Sequence, residues 1–173
     1  FTNSGAESNE GAIKLARKYA KLSEHPERYE IITMLKSFHG RTLATLTATG
    51  QEKVQNGFDP LPPGFKYVSF NDIEALKAAV TPYTCAIMLE PVQGEGGVIA
   101  ADDEYLRQVR ALCDEKELLL IFDEVVNGFA RTGKMFGHQH WDAEPDMVTM
   151  AKGMASSYAA ISALMTRKAE IAA

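Results

Sequence analysis

The sequence predicts an α/β fold, a mostly parallel sheet with helices on both faces. Two observations lead there. Short apolar runs recur along the chain without polar alternation, as in EIITMLK (30–36), TCAIMLE (84–90), LLLIF (118–122) and DMVTMA (146–151). Strands buried on both faces read this way, because neither face meets water. Between the runs lie segments with apolar residues at helical spacing, and strand–helix alternation is the pattern of a parallel sheet covered by crossover helices.

Each element follows in order. Asn3 or Ser4 caps a first helix, with Ala12, Ala16, Tyr19 and Leu22 recurring along one face. EIITMLK is the first strand, and a helix weakened by its threonines runs from Arg41 to Thr49. The glycines and prolines of 50–65 mark a loop, followed by a short strand from Lys66 to Ser69. Asn71 with Glu74 resembles a capping box opening the helix DIEALKAAV. TCAIMLE is a strand, PVQGEGG (91–97) a loop, and Asp102 to Glu117 an amphipathic helix. LLLIF, DMVTMA and AISALMT (160–166) are the remaining strands. The chain opens on Phe1 and closes on AEIAA, which reads as the middle of a helix. It is therefore expected to be a piece of a longer protein, cut on both sides.

Composition narrows the function classes. Apolar residues make up 46% and charged residues 24%, the balance of a globular protein. A net charge of −5 without a basic run gives nucleic acid no electrostatic footing. No apolar stretch reaches the roughly 18–20 residues that a membrane helix needs. Cys85 and Cys113 both lie in apolar segments and read as free core thiols in a reducing compartment, so a cytoplasmic location is expected. His25, His138 and His140 read as surface residues, and no metal site is expected.

In an open parallel sheet, ligands sit outside the carboxyl ends of the strands. The polar residues there are Phe38-His39, Glu90, Asp123-Glu124 and Lys152. One reading makes this a nucleotide hydrolase. LLLIFDE looks like a magnesium-binding strand, and GFARTGK (128–134) matches a phosphate loop up to its last position. That position must carry a hydroxyl for magnesium, and here it is Met135. The loop should also follow a different strand from the acidic one, and it does not. The Arg131–Lys134 turn is expected instead to have a structural or subunit-contact role.

Pyridoxal 5'-phosphate makes a different set of demands. Its phosphate needs N–H groups at a helix start, its ring nitrogen a carboxylate, and its aldehyde a lysine. Ser4, Gly5 and Ala6 stand at a first turn, Asp123 ends a buried strand, and Lys152 follows another. Phe38 and Val125 are placed to cover the two ring faces, with His39 as a polar wall. Each has a plainer reading: Ser4 an ordinary N-cap, Asp123 a metal ligand or helix cap, Lys152 a solvated strand end. Phe38 and His39 would then be core residues, and Glu90 and Glu95 mere caps or solvated carboxylates.

Taken together, NSGAESNEGAIKLARKY, SFHGRTLATLTATGQ, LEPVQGEGGV, LLLIFDEVVNGFARTGKMF and EPDMVTMAKG resemble the successive motifs of the class-III (ornithine-type) aminotransferases. These are pyridoxal-phosphate enzymes of fold type I, and the resemblance spans the chain. It implies that residues 1–173 are the central part of a large cofactor-binding domain. It implies a phosphate held by Ser4, Gly5 and Ala6, a ring between Phe38 and Val125, and Asp123 on the ring nitrogen. Lys152 would bond the aldehyde and shuttle the proton, and Glu90 and Glu95 match acidic positions near cofactor and substrate. The implied reaction moves an amino group from an amino acid or ω-amine to a 2-oxo acid, in a homodimer. An aminomutase of glutamate-semialdehyde type and an inactive cofactor-binding fragment are the rival readings. The first half is most like acetylornithine aminotransferases, the second closer to 4-aminobutyrate and other ω-amino-acid transaminases. Val126 stands where many members carry a Gln that reaches the cofactor's phenolic oxygen. Asn127 and Ala130 replace frequent Thr and Gly, and MASSYAAIS replaces a glycine-rich, proline-containing turn.

Overall fold

The computed structural model describes residues 1–167 and Ile171. Helix α1 (Gly5–Leu22) starts where Ser4 Oγ accepts the Glu7 N–H at 3.2 Å, and Glu7 reciprocates on the Asn3 N–H. Such a cap contributes about 1 kcal/mol. Its inner face is Ala12, Ile13, Ala16 and Ala20, small enough to lie close to the sheet.

Then come β1 (Glu30–Met34), α2 (Leu43–Ala48), the short α3 (Glu52–Gln55) and β2 (Phe65–Val68). Helix α4 (Ile73–Ala79) leads to β3 (Thr84–Leu89), and a small hairpin of β4 (Val92–Gln93) and β5 (Ile99–Ala100) follows. Helix α5 (Tyr105–Lys116), β6 (Leu119–Asp123), β7 (Met147–Met150) and β8 (Ala163–Thr166) complete the order.

The main sheet runs β2-β1-β3-β6-β7-β8, parallel throughout except for β8, which is antiparallel to β7. Alternate strand residues feed two cores. Ile32, Ile87, Leu120 and Phe122 pack toward α4 and α5, while Ile31, Met88, Ile121 and Met147 pack toward α1. Among the described residues no helix is long and apolar enough to cross a membrane. Cys85 and Cys113 are buried and free, and burial pushes both thiols up to about 12.

Four expectations change. The 50–65 segment contains α3, because Gln55 Nε2 donates to Thr47 O, Thr49 O and Tyr67 Oη and gives a single turn tertiary support. Asp72, not Asn71, caps α4: its Oδ1 accepts the Ala75 N–H at 2.9 Å, while Asn71 takes φ 63° and binds Ala100 and Asp102. The glycine-rich loop is the turn of the β4–β5 hairpin. His138 is half-buried, its Nδ1 2.9 Å from Glu124 Oε1 and its ring stacked on Phe136. The AEIAA expectation lies outside the described residues except for Ile171, which is buried.

Candidate active site

The carboxyl ends of β1, β3, β6 and β7 meet above the N-terminus of α1. The chain leaving β1 is tied down at every residue. Gly50 N–H donates to Ser37 Oγ, Phe38 N–H to Glu90 Oε2 at 3.1 Å, and His39 N–H to Thr49 Oγ1 at 2.9 Å. Thr49, the C-cap of α2, thus helps to position this loop. Gly40 takes φ +133°, and a Cβ there would come within 2.8 Å of Ala6 Cβ. Only glycine lets the loop lie against the first turn of α1.

Asp123 ends β6 and is 3% exposed. Its Oδ1 accepts the Val125 N–H at 3.0 Å. Its Oδ2 faces Asn9 Nδ2 at 2.7 Å and His39 Nδ1 at 2.8 Å. An ionised carboxylate only accepts, so Nδ1 of His39 carries the proton of this bond. His39 Nε2 is buried without a partner. Glu124 turns the other way and is fully buried, accepting N–H groups of Gly137 and His138 at 2.8 Å each. The Asp-Glu pair is therefore split between a cavity and a structural cap. The GFARTGK segment ends in a largely exposed turn in which Lys134 Nζ donates to Gln139 O. Among the described residues no group of three or more His, Cys, Asp or Glu side chains is arranged to hold a metal.

A cavity of about 430 Å³ opens here, the size of a small-molecule site. Its lining includes Ser4, Gly5 and Ala6, at the first turn of α1, where N–H groups lack intrahelical partners and the helix dipole favours an anion. Gly5 has no room for a side chain, since a Cβ would sit 2.8 Å from Val125 Cγ1. Asp123 lines the cavity, as do Phe38, His39 and Val125, and Lys152 stands at its rim immediately after β7, exposed and at φ 30°. Eight of the predicted site residues thus share one cavity. Two do not line it. Glu90 is buried behind the Phe38 loop, and Glu95 is exposed on the β4–β5 turn.

Among the lining residues that escaped the sequence reading are Asn9 and Arg41. Asn9 is a polar residue on the apolar face of α1, in step with Ala12 and Ala16, and that mismatch was the available signal. Arg41 stands beside the Phe38 ring, its guanidinium carbon 5.8 Å from the centroid. Val126 also lines the cavity, so an apolar side chain fills the position where the family pattern often has Gln. Asn127 is buried and donates to Val92 O, and Ala130 takes φ 65°, a conformation that favours the glycine it replaces.

The buried acids make the site pH-sensitive. Burial pushes Glu90 up to about 7, with the Asp123 charge adding to this and His39 opposing it. Burial disfavours a charged His39, but its bond to Asp123 and the charges of Asp123 and Glu90 outweigh that and hold it above its usual value. Both groups bind protons more tightly folded than unfolded. Stability from them is therefore present at low pH and falls as pH rises, from 4.5 to about 7 for Glu90 and above 6.5 for His39. In denaturant titrations of cofactor-free protein from about pH 5 to about pH 8, wild type should lose stability relative to Glu90→Gln as pH rises. A gap moving the other way contradicts this electrostatic picture.

This geometry has relatives. The family model described as "Aminotransferase class-III" matches residues 1–173. The acetylornithine aminotransferase of Methanocaldococcus jannaschii is 62% identical over 154 residues, 89% of this chain and 39% of that protein. A thermostable (S)-enantioselective omega-transaminase from Thermomicrobium roseum superimposes with TM-score 0.94 at 36% identity, over 99% of this chain and 43% of the other. An ornithine aminotransferase from Toxoplasma gondii, with partial occupancy of PLP at its active site, gives TM-score 0.93 at 34% identity. It is matched over 99% of this chain and 41% of its own. The chain thus spans about 40% of the length of these proteins. With a family match from end to end and the expected sheet beneath it, the chain belongs to the class-III aminotransferases.

Proposed function

We propose that, in the complete protein, this cavity holds pyridoxal 5'-phosphate. The protein then acts as an aminotransferase, moving an amino group from an acetylornithine-, ornithine- or 4-aminobutyrate-like donor to a 2-oxo acid. One observation carries the reading. Asp123 and Lys152, at the ends of adjacent strands, line a single cavity together with the N-terminus of α1. A carboxylate, an amine and a ready anion site match the ring nitrogen, the aldehyde and the phosphate of this cofactor. When bound, the cofactor supplies an electron sink for the charge left at the substrate carbon.

The chain's own residues do the rest. Ser4, Gly5 and Ala6 take the phosphate on N–H groups. Phe38 and Val125 confine the ring between them, and His39 buttresses Asp123 from the core. The Asp123 carboxylate keeps a proton on the ring nitrogen. Lys152 Nζ would hold the aldehyde, with loss of water, and would move the proton at the substrate carbon. Glu90 fixes the Phe38 loop from behind, and Glu95 stands outside the cavity, where a substrate contact needs further elements of the protein. The chain is read as the central part of the large cofactor domain of a cytoplasmic homodimer. Its similarity to acetylornithine aminotransferases and its buried thiols support that reading.

A thermal-shift comparison on the complete protein tests this against nucleotide binding. A ligand at a hundredfold excess over its dissociation constant stabilises by roughly 2.7 kcal/mol. Pyridoxal phosphate should raise the melting temperature, and Mg-ATP should leave it unchanged. Stabilisation by Mg-ATP with no response to pyridoxal phosphate overturns the reading.

A further inference from the structure

Asn9 is 1% exposed, on a helix face whose other buried members are Ser8, three alanines and an isoleucine. A buried amide persists on such a face only with its donors and acceptor engaged. All are engaged. Asn9 Oδ1 accepts the Thr149 hydroxyl at 2.6 Å. Its Nδ2 donates to Asp123 Oδ2 at 2.7 Å and to the His39 carbonyl at 2.7 Å. The Asp123 carboxylate and the His39 carbonyl only accept, so they hold the amide nitrogen on their side, and the Thr149 hydroxyl anchors the oxygen on the β7 side.

We propose that Asn9 is a positioning residue for Asp123, and that Thr149 anchors Asn9. This rests on the reading of Asp123 as the partner of the cofactor's ring nitrogen. The terminal torsion of an aspartate is soft, so its carboxylate plane is defined only by its partners. Val125 N–H fixes Oδ1, leaving Oδ2 to Asn9 and His39. The same Asn9 amide also holds the His39 backbone, so it secures both members of the Asp123–His39 pair. Thr149 lies on β7, the strand that leads to Lys152. The network therefore joins the strand bearing the carboxylate to the strand bearing the amine, through the helix that faces the phosphate.

The test compares equilibrium binding of two ligands by the complete protein: pyridoxal phosphate, and its analogue with carbon in place of the ring nitrogen. A residue acting through Asp123 on that nitrogen alters the preference between them, whereas a general loosening of the cavity weakens both equally. Wild type is expected to prefer pyridoxal phosphate. Asn9→Ala should reduce that preference about tenfold, the factor expected for one hydrogen bond to a charged group. Thr149→Val, which keeps the shape and removes the hydroxyl, should move it the same way, and Thr149→Ser should restore it. An undiminished preference in Asn9→Ala, or equal weakening of both ligands, overturns the inference. Should Asn9→Ala fail to fold, the Thr149 variants decide alone, and a wild-type preference in Thr149→Val overturns it. Equal binding of the two ligands by wild type overturns the assignment of Asp123 to the ring nitrogen, and this inference with it.

Discussion

Asp123→Asn in the complete enzyme should lower turnover by about 10²–10⁴-fold at saturating cofactor, the range ascribed to one positioned proton-handling group. The carboxylate sits among three donors, from Val125, Asn9 and His39. An amide in its place has the same shape but no charge with which to keep the ring nitrogen protonated. It also must turn its own NH₂ toward a donor, whichever way it is flipped. That mismatch leaves a buried polar group unpaired, at a cost of about 1–3 kcal/mol, small enough for the fold to survive. Denaturant midpoints measured beside the kinetics separate the two effects. Near-normal turnover in a folded, cofactor-saturated variant contradicts the assigned role.

Lys152→Ala is expected to be at least as severe. Among the described residues Lys152 is the only lysine that lines the cavity, and no other side chain there presents a primary amine. On the proposed function, its loss would remove both the covalent attachment point and the group that moves the proton at the substrate carbon. Turnover should fall by about 10²–10⁴-fold or more. Cofactor should also wash out of the variant on dialysis while wild type retains it. The fold should be unaffected, because Lys152 is exposed. Retention of cofactor and activity in Lys152→Ala contradicts the assignment.

Much of this site was legible before the fold was known, for a physical reason. In a parallel sheet the residue after each buried strand is placed by topology, so His39, Asp123 and Lys152 could be brought together from strand ends alone. The first turn of α1 was legible from its cap. What escaped were partners chosen by tertiary packing. Nothing local says that Glu124 turns away from Asp123 to cap the Gly137–His140 turn and draw His138 inward. Likewise, the single turn of α3 exists because Gln55 reaches across to Thr47, Thr49 and Tyr67, contacts invisible in a run of glycines and prolines. Glu95 shows the converse. Its motif matches the family, yet it is exposed and does not line this cavity. Asn9 was visible as a polar residue on an apolar face, but its targets lie 30, 114 and 140 residues away in sequence.

The central claim is that pyridoxal phosphate is attached at the end of β7. Borohydride reduction of the complete protein loaded with pyridoxal phosphate, followed by peptide mapping, tests it most directly. The account predicts a single label, on Lys152. Label on Lys134, in the GFARTGK turn, or on no lysine at all contradicts it.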